Sequence, residues 1–172
     1  IPSHPALEAH IDQRAGVCSS LLVDRYLEGR HRAWAVVAAF GDGLPDTARQ
    51  LAASLGLDEA SLAALRELGE SINYNAYGET VADLLIAPAE LYRTVSRHAD
   101  PFDLIAKEAL VQRLAEQRAE DMRRALELAP YRTAGGFDAF LLPDEAWSRR
   151  VSGSFANHLF SGPRGSRSGL WR

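Results

Sequence analysis

Twenty-eight alanines and 23 leucines stand against 8 valines and 5 isoleucines in the 172 residues. That imbalance constrains the fold more than any other feature. Ala and Leu enter helices at little cost, whereas β-branched residues suit sheets. The expected fold class is therefore mostly α, and an all-β fold is disfavoured. At 47% hydrophobic residues the chain can bury one or two small cores, which excludes disorder throughout. The longest apolar stretch, Ala33 to Phe40, is far too short to cross a bilayer. No basic, apolar and small-residue series marks a signal peptide at the amino end. A soluble, cytoplasmic protein without membrane contact is the expectation. Cys18 is the single cysteine, so no intrachain disulfide and no Cys-rich zinc site can form, which suits a reducing compartment. A net charge of -4 gives no global basic field to attract nucleic acid, although the 18 arginines could still form a local patch.

Helical spacing organises most of the chain. Leu21, Leu22, Val23 and Tyr26 follow Ser19 and Ser20, with Gly29 as a stop. Arg32 to Phe40, rich in Ala, reads as a buried helix, and Gly41-Asp42-Gly43-Leu44-Pro45 breaks it. A stripe of Ala48, Leu51, Ala52 and Leu55 follows, then a helix opened by Asp58 and carrying Leu62, Leu65, Leu68 and Ile72. Val81 to Leu85 and Pro88 to Val95 read as short helices. Phe102 to Leu128 has the pattern of one long amphipathic helix with a charged face, ended by Pro130. After Gly135-Gly136, the run Phe137 to Leu142 reads as a strand, and Trp147 to Leu159 as a helix.

The strong motifs of chemistry are absent: no P-loop, no zinc-protease His-Glu pair and no nucleophile elbow. Asp42, between two glycines at the end of an apolar helix, is the best-placed carboxylate for a ligand. Its alternative reading is an ordinary turn residue. None of the five histidines forms an i, i+4 pair or a cluster with carboxylates. Arg149-Arg150 before Ser152-Gly153-Ser154 and Asn157 could receive a phosphate through guanidinium and helix-start donors. A plain helix entry accounts for the same residues. Tyr74 and Tyr77 could stack on a base or simply pack a helix end.

Three segments taken together carry a resemblance: Ala38-Ala39-Phe40-Gly41-Asp42, Ile72-Asn73-Tyr74-Asn75-Ala76-Tyr77-Gly78-Glu79, and Phe137 to Pro143 followed by Trp147, Gly153 and Asn157. In this order they resemble the bacterial DHH phosphoesterases, which include single-strand-specific exonucleases, oligoribonucleases and cyclic-dinucleotide hydrolases. The resemblance spans residues 1 to about 160. It implies that residues 1–99 are the C-terminal helical part of a DHH-type domain, an α/β domain in the family. Residues 100–130 would be a connecting helix, 131–160 the start of the DHH-associated domain, and 161–172 an irregular tail. It further implies Asp42 as a ligand of manganese or magnesium, and Arg150, Ser152, Gly153 and Asn157 near a nucleotide or single-stranded nucleic acid.

The family's remaining ligands are not in this chain. Its Asp-x-Asp-Gly motif, a further Asp and the Asp-His-His triplet precede the position of Asp42, and His10-Ile11-Asp12 and His98-Ala99-Asp100 do not replace them. Gly43 stands where relatives more often carry Asn, and the Gly-rich, His-containing substrate motif of the second domain is missing too. The resemblance therefore implies a family member truncated at both ends, with no catalytic residue of its own and no tightly bound metal, since two-metal hydrolysis requires several ligands. The competing reading is a non-catalytic helical module whose Arg-rich faces and exposed strand serve interaction, including formation of a homodimer.

Overall fold

The computed structural model describes residues 4–135, 137–161 and 167–171. Among them the chain is mostly helical, with a small sheet and a strand followed by a helix towards the carboxyl end. It divides into two compact units, Ile1–Gly69 and Glu70–Arg172.

In the first unit, α1 (Ser19–Tyr26), α2 (Arg32–Gly41) and α3 (Pro45–Ala52) precede a 3₁₀ turn (Ala53–Leu55), and α4 (Glu59–Tyr74) begins. Helix α2 is the centre because it is apolar on all sides, the pattern of an enclosed helix. Ala35, Val36, Val37, Ala39 and Phe40 are buried, and both α1 and α3 pack on it. Its carboxyl end is closed by main-chain bonds, Gly43 N–H to Phe40 O at 3.0 Å and Leu44 N–H to Ala39 O at 2.9 Å. Gly43 adopts the left-handed conformation that this closure requires, with φ 71°. Pro45 then starts α3, where its missing N–H costs nothing. Asp58 accepts the Ser61 amide at 2.8 Å ahead of α4, and Leu65 and Leu68 of that helix are buried. Gly69 lies so close to α2 that a Cβ there would sit 2.1 Å from the Val37 carbonyl oxygen.

The second unit takes the end of α4, a 3₁₀ turn (Val81–Asp83), α5 (Pro88–Val95), α6 (Pro101–Lys107), α7 (Ala109–Leu126), β1 (Arg132–Ala134), β2 (Phe137–Leu141), α8 (Ala146–Ser161) and β3 (Arg167–Trp171). The sheet order is β1-β2-β3. β1 pairs antiparallel with β2, Thr133 opposite Asp138, and β2 pairs parallel with β3, Ala139 opposite Gly169. A parallel pair needs a crossover, which α8 supplies. The core joins Tyr74, Ala125, Phe140, Leu142, Val151 and Phe155. Within it, the rings of Phe140 and Phe155 meet edge to face at 5.3 Å.

Three expectations change. The helix expected over 100–130 is two helices, because Glu108 takes extended backbone at φ -110°, ψ 106° between α6 and α7. The second domain expected to start at residue 131 is not a separate unit of packing: Ala125 and Tyr74 share one core with residues of β2 and α8, and the compact units part at residues 69 and 70. The irregular tail expected over 161–172 falls partly outside the described residues, and its portion 167–171 is a strand, paired by main-chain bonds to β2 that side-chain composition does not encode. No helix among the described residues is long and apolar enough to cross a membrane.

The contact at Gly69 yields a stability test. Gly69→Ala should destabilise the chain by about 3 kcal/mol, the upper end for overpacking, because the obstacle is backbone and cannot rotate away. Gly43→Asn, at an open left-handed position with nothing within 4 Å of a Cβ, should cost far less. Urea denaturation of the two variants checks the order.

Candidate functional site

Asp42 sits at the C-cap of α2. Its burial of neighbours is asymmetric: Phe40 is 4% exposed, while Asp42 itself is exposed. The helix is therefore anchored and its last side chain is open to solvent. The Asp42 amide donates to Ala38 O at 2.9 Å, and its carboxylate has no hydrogen bond or ion pair among the described residues. No group of three or more His, Cys, Asp or Glu that could hold a metal ion occurs among the described residues. One carboxylate without companions does not fit a pair of manganese or magnesium ions, which need several hard donors each.

The residues expected on the substrate side all lie on α8, but they do not converge. Arg150 is 8% exposed and turned into the unit, where each of its three nitrogens has an internal acceptor. Nε donates to the Tyr74 hydroxyl at 2.8 Å and to Asp121 Oδ2 at 3.0 Å, Nη2 to Asp121 Oδ2 at 2.7 Å, and Nη1 to the Asp83 carbonyl at 2.7 Å. A guanidinium held in this way does not present its fork to a phosphate, so the contact expected of Arg150 is replaced by a structural one. Ser152 Oγ donates to the Arg149 carbonyl at 3.0 Å. Gly153 faces the Tyr77 ring, 3.9 Å from an added Cβ, so Tyr77 packs on α8. Asn157 is exposed.

Around Arg150 lies a charged cluster that the sequence reading did not assemble. Asp121, fully buried on α7, accepts from Tyr74 Oη and Arg150 through Oδ2 and from Gln117 Nε2 through Oδ1 at 2.8 Å. The Arg150 guanidinium also lies 5.9 Å from the centre of the Tyr74 ring. Burial, then the Asp121 carboxylate, push the Tyr74 hydroxyl well above the usual phenol range. Burial works against the Arg150 charge, but the bonds to Tyr74 and Asp121 outweigh it and raise its pKa. The Tyr74 phenol and the Arg150 guanidinium thus both hold their protons inside the unit. Its partners are 29, 47 and 76 residues apart in sequence, so no local motif announces it.

Next to it, Arg149 ties the 79–83 segment to α8. Its Nη1 donates to Asp83 Oδ1 at 2.7 Å and its Nη2 to Asp144. Asp83 also accepts the amides of Glu79 at 2.9 Å and Thr80 at 3.0 Å. The Thr80 amide, followed by the Glu79 amide and Arg149, holds the Asp83 carboxyl below the usual range against the opposing effect of burial. An open groove of about 320 Å³ runs beside this region, lined by Leu85, Ile86, Arg113, Leu114, Glu116, Gln117 and Glu120. Gln117 links the groove wall to buried Asp121. With two carboxylates and one guanidinium on its walls, the groove has no single-sign field to select an anionic ligand.

Two measurements follow from the cluster. Asp121→Ala leaves a guanidinium buried without its counter-charge and should cost about 3–5 kcal/mol, whereas Tyr74→Phe removes one donor and should cost about 1–3 kcal/mol; chemical denaturation separates the two. For Asp83 the pKa is depressed in the folded state, so its contribution is complete well above the ordinary carboxylate value of about 3.9 and is lost as pH falls through that value towards the folded-state one. Hydrogen exchange at the Glu79 and Thr80 amides should accelerate over that acid range, beyond the intrinsic pH dependence of exchange, and in Asp83→Asn this extra acceleration should be absent.

Comparison with family models, with curated proteins and with solved structures returns no match.

Proposed function

We propose that this chain is the helical portion of a phosphoesterase of the DHH type, supplying one acidic metal ligand, Asp42, and a strand–helix element on the substrate side, and that it does not hydrolyse phosphodiesters unaided. The observation that carries this reading is the setting of Asp42. An enclosed apolar helix fixes its backbone, the left-handed Gly43 turns the chain away behind it, and its carboxylate is exposed. That is how a ligand is held in place while remaining free to bind. The substrate class is a nucleotide or short single-stranded nucleic acid, and the compartment is the cytoplasm, in keeping with a lone half-buried thiol at Cys18. On α8, Arg150 acts by fixing the helix, and Asn157 is the exposed polar side chain left to meet a ligand.

A second reading, a non-catalytic interaction module, rests on apolar side chains at the surface of the first unit. Leu7 is 48% exposed, Ile11 56%, Val23 53% and Tyr26 63%. Scattered apolar exposure is ordinary, but Val23 and Tyr26 line one open cleft with Leu22 and Ile11 and Tyr26 line another, so part of this exposure is gathered around α1.

Manganese titration and an assay on a short oligonucleotide test the proposal. This chain should bind the ion weakly and cleave nothing. A polypeptide in which the family's Asp-x-Asp-Gly, Asp and Asp-His-His segments precede it should gain metal-dependent hydrolysis. In that longer polypeptide Asp42→Asn should lower activity by at least about 100-fold, on the scale of losing a group that stabilises the transition state, while thermal stability stays unchanged. Hydrolysis by the bare chain, or full activity of the Asp42→Asn variant, would overturn the proposal.

A further inference from the structure

We infer that the junction of α6 and α7 is a latched hinge, in which contacts of the Glu108 carboxylate hold apart two helices whose sequence favours one. Glu108 is the single residue between them, and its backbone is extended at φ -110°, ψ 106°. Sharp helix breaks have recognisable local causes: Pro, Gly or Ser pairs, or an inserted group. From Phe102 to Leu128 there is no Gly, Pro or Ser, and most residues are Ala, Leu, Glu, Gln and Arg, among the strongest helix formers.

The helix bonding runs up to the break on one side and falters on the other. Glu108 N–H still donates to Leu104 O at 3.0 Å, whereas Val111 N–H reaches back only three residues, to Glu108 O at 3.0 Å. Bonds that a continuous helix would make are given up here, and something outside the two helices must compensate. The partners are Glu108's own: Oε1 meets His98 Nε2 at 3.1 Å and Arg97 Nη2 at 3.4 Å. Both come from the segment between α5 and α6. The His98 side chain is 10% exposed, so that bond is shielded from competing water. The pairs within each helix, Lys107 with Asp103 at 3.0 Å and Gln112 with Glu116 at 2.8 Å, form equally well in a straight or a broken arrangement. Pro101 and Leu104 anchor α6 by burial and Leu114 anchors α7, while the tie at the break itself is Glu108, so an event that draws His98 and Arg97 away unlatches the junction.

The test uses the full chain with Cys18→Ser and nitroxide labels at the exposed positions of Ala106→Cys and Ala119→Cys, read by pulsed electron–electron resonance. An unbroken helix places these two positions about 20 Å apart along its axis. The parent should give a shorter distance. Glu108→Ala and His98→Ala should both move the distribution to that of the unbroken helix, with helical circular dichroism retained or increased. Glu108→Gln, which keeps an acceptor for His98, should stay with the parent. An unchanged distribution in Glu108→Ala would overturn the inference, and so would a loss of helical signal, which would make the contact part of the fold rather than a latch. A shift in Glu108→Gln as large as that in Glu108→Ala would count against it as well.

Discussion

A carboxylate with no exposed surface is tolerated only where its charge is balanced and its lone pairs are met, and Asp121 imposes that condition on the second unit. Arg150 balances the charge, Tyr74 and Gln117 meet the remaining acceptor sites, and the same guanidinium takes up the Asp83 carbonyl. One buried charge thereby fixes the end of α4, the middle of α7, the 79–83 segment and the start of α8. The apolar core of Phe140, Leu142, Val151 and Phe155 adds transfer free energy. That driving force is non-directional. The polar cluster is directional, since its hydrogen bonds are met in one arrangement only.

The parts of the fold legible in the sequence are those decided locally. The all-round apolarity of Arg32 to Phe40 marks α2, Pro45 and Pro88 mark helix starts, and Asp58 marks a cap. The break at Glu108 was hidden because 102–128 holds no Gly, Pro or Ser to signal it. Its partners, His98 and Arg97, lie 10 and 11 residues away. The last strand was hidden for a related reason: a parallel partner joined through α8 leaves its mark in main-chain bonds, not in the Gly- and Ser-rich composition of that stretch. The division at residue 69 falls within a helix, where no Gly- or Pro-rich linker could have signalled it.

The candidate site divides along the same line. The place of Asp42 was legible because helix, turn and carboxylate are consecutive: it caps α2 and is exposed, a setting that a ligand and an ordinary turn residue share. Arg150 was legible as a cation but not in its role. Whether an arginine faces solvent or core depends on what waits inside, and Asp121 is 29 residues away on another helix. Tyr74 was weighed as a stacking platform, yet its ring is fully buried and its hydroxyl is bonded, so its service is internal.

The pairing of Asp121 with Arg150 also restricts how such a chain can change over time. Losing either partner alone strands the other, and such intermediates are removed. Exchanging both for apolar residues of similar volume can be close to neutral. The two positions are therefore expected to change together, and an apolar pair would also have to leave the Asp83 carbonyl another donor. Tyr74 follows them, because a phenol hydroxyl enclosed without Asp121 would lack an acceptor. Drift at residues 74, 121 and 150 should proceed in concerted steps, while exposed residues of α7 such as Ala119 vary independently of them.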